Sequence, residues 1–272
     1  MPITPRQIAI ESPLPIKAFS SDALAVSIFA NRQDMGAAAA AYVADYLRRL
    51  QSERDEIRIV VGSAPSQDEF FEHLTSPANF EAVDWSRVVV FHMDEYVGLP
   101  ADHPQSFREY QREHFTSKVT VKEFHAILGE ATDLDAECRR LTDLLTQRPI
   151  DLVCLGIGEN GHLAFNDPPA DFDDLEWVKV VALDATCRQQ QVNDGCFPSI
   201  SEVPKHAITL TLKVFQNAAK LSGVVPGPTK THAAAATIDG PISEDCPATL
   251  MRSHPDARLF LDQDSASSLS YL

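Results

Sequence analysis

The chain has 272 residues, 44% hydrophobic and 23% charged, ordinary proportions for one large α/β domain or two small ones. A formal net charge of −16 argues against nucleic acid and anionic membrane as partners. It leaves room for a phosphorylated metabolite, which needs only a local cluster of cations and amides. No stretch approaches the roughly 20 apolar residues of a membrane span, and no charged-then-apolar leader opens the chain. Five scattered cysteines (138, 154, 187, 196 and 246) without a C-x-x-C pair suit a reducing compartment and suggest no metal site, so the expectation is a cytoplasmic protein.

Residues 1–33 carry four prolines and little pattern, and are expected to be an irregular lead-in. Asp34 is placed to cap a helix whose apolar face runs through Met35, Ala39, Tyr42, Val43, Tyr46, Leu47 and Leu50 at three-four spacing. Residues 57–61 read as a strand, 62–66 as the loop leaving it and 68–74 as a helix. Small hydroxyl residues in such a loop can offer amides and hydroxyls to a phosphate, or simply cap the helix. Residues 87–93 form the next expected strand, ending in Asp94 and Glu95. Two carboxylates at the mouth of a buried strand must be solvated, paired or used. Helices are expected at 106–115 and from Asp133 or Asp135 to 147.

The stretch from 149 to 169 organises the rest. Residues 150–155 are an apolar run short enough for a buried strand, and Gly156, Gly158 and Gly161 then let the backbone turn and a ligand approach closely. Asn160, His162, Asn166 and Asp167 follow, closed by Pro168 and Pro169. A strand emptying into a glycine-rich polar loop is how open α/β sheets build sites at strand carboxyl ends. His162 can carry a proton either way near neutral pH, and Asp167 can orient it; a lone histidine beside glycines is as readily structural as functional. The glycine spacing leads into prolines rather than a helix, which argues against a nicotinamide cofactor. Further strands are expected at 178–183, 209–212, 221–225 and 258–261, with an alanine-rich helix at 232–237. Lys230 falls at that helix's first turn, where a cation opposes the dipole unless an anionic ligand is present. The serine-rich tail, 263–272, is expected to be loose. Alternating strands and helices imply a single α/β domain, 34–262, built on a mainly parallel sheet with helices on both faces.

Four segments together resemble one family. Met93-Asp-Glu-Tyr-Val-Gly-Leu99 with His103-Pro104, Gly161-His-Leu-Ala-Phe-Asn166, Val203-Pro-Lys-His-Ala207 and Gly227-Pro-Thr-Lys230 have counterparts, in that order, in glucosamine-6-phosphate deaminases (isomerases). These belong to the superfamily that also holds 6-phosphogluconolactonases, which typically carry Asp-Glu-Arg and Gly-His-Thr-Ala-Ser at two of those places. The resemblance implies a Rossmann-like fold and a metal-free, cofactor-free aldose–ketose isomerisation with loss of ammonia. By position, Asp94 would move the proton between C2 and C1, and His162 would open the sugar ring with Asp167 and Asn160 beside it. Lys230 and the loop with Ser63, Ala64 and Ser66 would hold the phosphate, and Gly158 and Ala164 would also belong to the substrate- and phosphate-binding set. The chain departs from the family where Asn160 replaces an acidic residue, Asp167 replaces a glutamate, and Pro65 enters the phosphate loop. The family's phosphate-clamping arginine aligns near Asn193, leaving Arg188 as the nearest cation. A lactonase-like hydrolase and a non-catalytic sugar-phosphate-binding protein are the alternatives; a homo-oligomer is compatible with all three.

Overall fold

The computed structural model describes residues 12–193 and 195–270. In chain order, β1 (Lys17–Ser21) and β2 (Leu24–Phe29) form a hairpin that leads into α1 (Arg32–Gln51) and β3 (Ile57–Val61). Then come α2 (Asp68–Leu74), α3 (Pro77–Phe80), β4 (Val88–His92), β5 (Asp94–Tyr96), α4 (Phe107–Gln111) and β6 (Glu123–His125). α5 (Leu134–Thr146), β7 (Leu152–Leu155), β8 (Val178–Ala182), α6 (Ala185–Asn193) and β9 (His206–Leu210) follow. The chain closes with α7 (Leu212–Asn217), β10 (Leu221–Val225), α8 (Thr231–Asp239) and β11 (Ala257–Asp262).

Eight strands form the main sheet in the order β1-β2-β11-β10-β7-β3-β4-β6, parallel at every pair except β1–β2. Alternation of side chains sorts the central strands onto two cores. Val60, Val153 and Leu155 pack on the face covered by α5, α7 and α8, through Leu141, Leu145, Phe215 and Ile238. Ile59, Val61, Leu152 and Cys154 pack on the other face, under α1 and α2, through Met35, Leu47, Phe70 and Phe71. Strands buried on both faces read as continuous apolar runs, as these do. The expected mainly parallel sheet with helices on both faces is therefore present.

Several segments differ from expectation. The lead-in is not irregular between 17 and 29: Leu24, Val26 and Ile28 are buried, and β2 lies parallel to β11 along its whole length. Residues 1–11 fall outside the described part. Asn31, not Asp34, caps α1, its Oδ1 accepting the Asp34 amide at 2.9 Å. The tail is packed as far as it is described, with Ser265, Ala266 and Leu269 buried and the Ser265 amide on Asp262 Oδ1 at 2.8 Å. The strands at 178–182 and 206–210 leave the main sheet: β8, β9 and β5 make a separate antiparallel sheet in the order β5-β9-β8.

Chain direction reverses its lateral walk between β3 and β7. From β3 the chain moves outward to β4, whereas after β7 the main sheet is extended on the opposite side by β10 and β11. The carboxyl ends of these two central strands therefore part around a crevice, the place where open α/β sheets bind ligands.

Candidate active site

Four loops leave carboxyl ends around that crevice: 62–67 after β3, the β4–β5 junction, 156–166 after β7 and 226–230 after β10. They enclose a cleft of about 210 Å³. That is below the ~300–1,000 Å³ of drug-sized sites and suits a small polar metabolite. Ser63, Ala64, Ser66, Asp94, Gly158, His162, Ala164 and Lys230 all line it, so tertiary structure gathers most of the residues singled out from sequence.

The two carboxylates at the end of β4 separate. Glu95 is fully buried and turned away from the cleft, accepting the amides of Tyr96 at 2.9 Å, Phe107 at 3.1 Å and Arg108 at 3.0 Å. Ser106 Oγ and Arg108 Nε also donate to it, so Glu95 organises the start of α4. Asp94 is buried and faces the cleft, with no hydrogen-bond donor among the described residues reaching its carboxylate. Burial first, and the neighbouring Glu95 charge second, hold its pKa well above the ordinary carboxylate range. An unpartnered carboxylate held so is a strong base awaiting a cation or a proton.

His162 lies against the backbone. A Cβ at Gly158 would fall 2.3 Å from the imidazole, so glycine is required for the ring to rest there. Gly161 (φ +85°) and Ala164 (φ +51°) bend the loop around it; a non-glycine residue in the left-handed region is strained, and such strain collects at functional sites. Nδ1 of His162 stands 3.1 Å from Asp167 Oδ1 without the alignment of a linear hydrogen bond. Asn160 braces both partners, donating from Nδ2 to Asp167 Oδ1 at 3.1 Å and accepting the His162 amide at 3.2 Å. Burial opposes ionisation of Asp167, but its contacts with His162, Asn160 and Cys187 outweigh this and hold its pKa below the ordinary value. Among the described residues, His162, Asp167 and Cys187 bring ligand-type atoms within 4.8 Å of one another. Burial, then the Asp167 charge, push the Cys187 thiol far up, which suits a thiol donating to Asp167 rather than a thiolate ligand.

The opposite end of the cleft carries hydroxyls and cations. Ser63 Oγ accepts from Gln111 Nε2 at 3.0 Å and Ser66 Oγ from Gln67 Nε2 at 3.2 Å, which fixes both hydroxyls. Lys230, largely buried, ends the 3-10 turn Pro228–Lys230. The amide of Gly227 is held by both oxygens of buried Asp262 at 3.0 Å, so the end of β11 sets this turn. Arg188 is not at the site: its guanidinium donates to the carbonyls of Ile200 and Val203, the latter at 3.0 Å, and braces the chain after α6. Gln190 and Gln191 of that helix line the cleft instead. Arg32 also lines it. Sequence reading missed these three because a polar helix without apolar periodicity, and a cation ahead of an expected helix start, carry no local signal.

An open, mainly parallel sheet with a polar cleft at its switch point, holding a bare carboxylate and a histidine–aspartate pair, defines an α/β enzyme. Residues 30–260 match the family model described as glucosamine-6-phosphate isomerases/6-phosphogluconolactonase, and the chain belongs to that family. It is 41% identical over 187 residues to the glucosamine-6-phosphate deaminase of Listeria monocytogenes serotype 4a, covering 69% of this chain and 78% of that protein. It is 36% identical over 190 residues to the same-named enzyme of Exiguobacterium sibiricum, covering 70% and 74%. Among solved structures, a monomeric glucosamine-6-phosphate deaminase superposes with a TM-score of 0.81 at 28% identity, covering 89% of this chain and 98% of that one. The 6-phosphogluconolactonase of Trypanosoma brucei shares the fold, with a TM-score of 0.75 at 17% identity over 90% and 98% of the chains.

Proposed function

We propose that the protein is a glucosamine-6-phosphate deaminase, converting a 2-amino-2-deoxyhexose 6-phosphate and water to a ketohexose 6-phosphate and ammonia. The observation that carries this reading is the buried Asp94 carboxylate, met by no donor among the described residues, sharing one cleft with the His162–Asp167 pair. The curated relatives named above support it, as does the Met93-Asp-Glu-Tyr96 sequence.

His162 opens the pyranose by delivering a proton to the ring oxygen as the C1 hydroxyl loses one, with Asp167 and Asn160 holding the ring in one orientation. Asp94 then removes the proton from C2 of the open-chain aldehyde, giving an enolamine, and returns it to C1. The product is a C2 imine, which water hydrolyses to the ketone with release of ammonia. Every atom is accounted for by substrate and water, and no step calls on a cofactor or metal. The raised pKa of Asp94 fits this role, since a stronger base abstracts a carbon-bound proton more readily. The substrate's ammonium, arriving beside it, supplies the counter-charge that favours its ionised form. Ser63, Ser66 and Lys230 take the phosphate at the other end, the Ala64 backbone lines its path, and Gly158 and Ala164 border the sugar. No described helix is long and apolar enough to cross a membrane.

Ammonia release from a panel of amino-sugar phosphates tests the reading, with solvent deuterium appearing at C1 of the product. Acid formation from 6-phosphogluconolactone without ammonia from any amino sugar would overturn it in favour of the hydrolase.

A further inference from the structure

We infer that Arg32 is the guanidinium that clamps the substrate's phosphate, standing in for the family arginine that aligns near Asn193. The inference rests on the reading of the cleft as a sugar-phosphate site and adds the residue that fixes its selectivity for the phosphate.

Arg32 reaches the cleft from the first residue of α1. Its side chain is built into place. Glu69 of α2 receives Nε at 2.8 Å and Nη2 at 2.9 Å, a paired contact that fixes the plane of the guanidinium. Nη2 also donates to the Pro65 carbonyl at 3.1 Å, tying the group to the loop that carries Ser63 and Ser66. Gly36, one turn along α1, permits this: a Cβ there would lie 2.6 Å from Glu69 Cβ. Close approach of the two helices therefore sets Glu69 against Arg32.

The third nitrogen is left over. Nη1 has no hydrogen-bond partner among the described residues, and it lies 4.0 Å from the position a Cβ would take at Gly227. It faces the turn that ends in Lys230. Two fixed hydroxyls, a buried lysine and a guanidinium with one free edge thus surround one end of the cleft. Arginine suits this place because three of its five donors can be spent on orientation while Nη1 still offers two to an anion. Glu69 balances the charge of Arg32 when the cleft is empty, so the chain tolerates two cations near one another there.

The experiment compares wild type with Arg32→Ala and Arg32→Gln, using inorganic phosphate as the probe and glucosamine 6-phosphate as substrate. Arg32→Ala is expected to raise the inhibition constant of phosphate and the KM for the sugar phosphate together, about 10- to 100-fold, the range for a hydrogen bond to a charged group. The larger share of the loss in kcat/KM should fall on KM rather than on kcat. A purely structural role would lower the melting temperature of both variants but leave the phosphate constant unchanged, and that result overturns the inference. Phosphate-induced elevation of the melting temperature gives a readout independent of turnover. If wild type releases no ammonia from any amino-sugar phosphate, yet phosphate still protects it and Arg32→Gln abolishes that protection, the clamp stands and the deaminase reading fails.

Discussion

Asp94 and Glu95 are consecutive carboxylates with opposite surroundings: Glu95 accepts three backbone amides and two side-chain donors, whereas no donor among the described residues reaches the Asp94 carboxylate. Successive residues of a strand point to opposite sides, so one faces the start of α4 and the other the cleft. On the proposed mechanism, structure and chemistry are divided between neighbours in the chain.

Asp94→Asn should lower kcat by about 10²- to 10⁴-fold, the usual contribution of a positioned base, while substrate binding is largely kept. Deuterium incorporation at C1 should vanish with turnover. Near-wild-type turnover in the variant would remove Asp94 from the mechanism.

The same substitution should stabilise the protein at neutral pH. A carboxyl whose folded pKa is raised favours the native state only below its unfolded value, about 3.9, and loses that contribution as pH rises through the folded value. Melting temperatures of Asp94→Asn and wild type should therefore diverge at pH 7, the variant higher, and converge below about pH 4. A variant that melts lower than wild type at pH 7 contradicts the assignment of Asp94 as a buried, unpartnered acid.

Glu95→Ala should behave in the opposite way. It strips the start of α4 of its shared acceptor and leaves Arg108 buried with one partner fewer, and removing one member of a buried pair costs about 3–5 kcal/mol. Urea unfolding measures this; a change under about 1 kcal/mol would show that water or a neighbour replaces the carboxylate.

Gly158→Ala tests whether the imidazole must rest on bare backbone. The added methyl would sit within 2.3 Å of the ring, so His162 must move. A displacement of about 1 Å in a catalytic group costs on the order of 100-fold in rate. Phosphate inhibition should be unaffected, and a variant with normal turnover would dissociate the position of the ring from the chemistry.

Asp167→Asn should slow the cyclic substrate while sparing an analogue unable to close into a pyranose, because ring opening is the step that needs an oriented histidine. Asn160 contacts both members of the pair, so adding Asn160→Asp should restore part of the loss. Equal impairment of the open-chain analogue would assign the loop to a later step.

Much of this molecule is legible in its sequence because the signals are local. Three-four periodicity marked α1, apolar runs marked β3, β4 and β10, and the glycine-rich exit from β7 marked the loop that holds His162. Turn chemistry and periodicity act over a few residues, and the described structure keeps them. What tertiary structure decided concerns partners far apart in the chain. β2 is a strand because β11, more than 200 residues later, pairs with it. The tail is ordered by Asp262 and by burial of Ala266 and Leu269, which no local pattern announces. Glu95 was turned inward by the amides at the start of α4. Arg188, a cation near the right place in sequence, spends its donors on the carbonyls of Ile200 and Val203, while Arg32 comes to the cleft from the front of the chain. A side chain's type is written in the sequence, but which of its hydrogen-bonding atoms remains unspent is settled only when distant backbone carbonyls and carboxylates are brought against it.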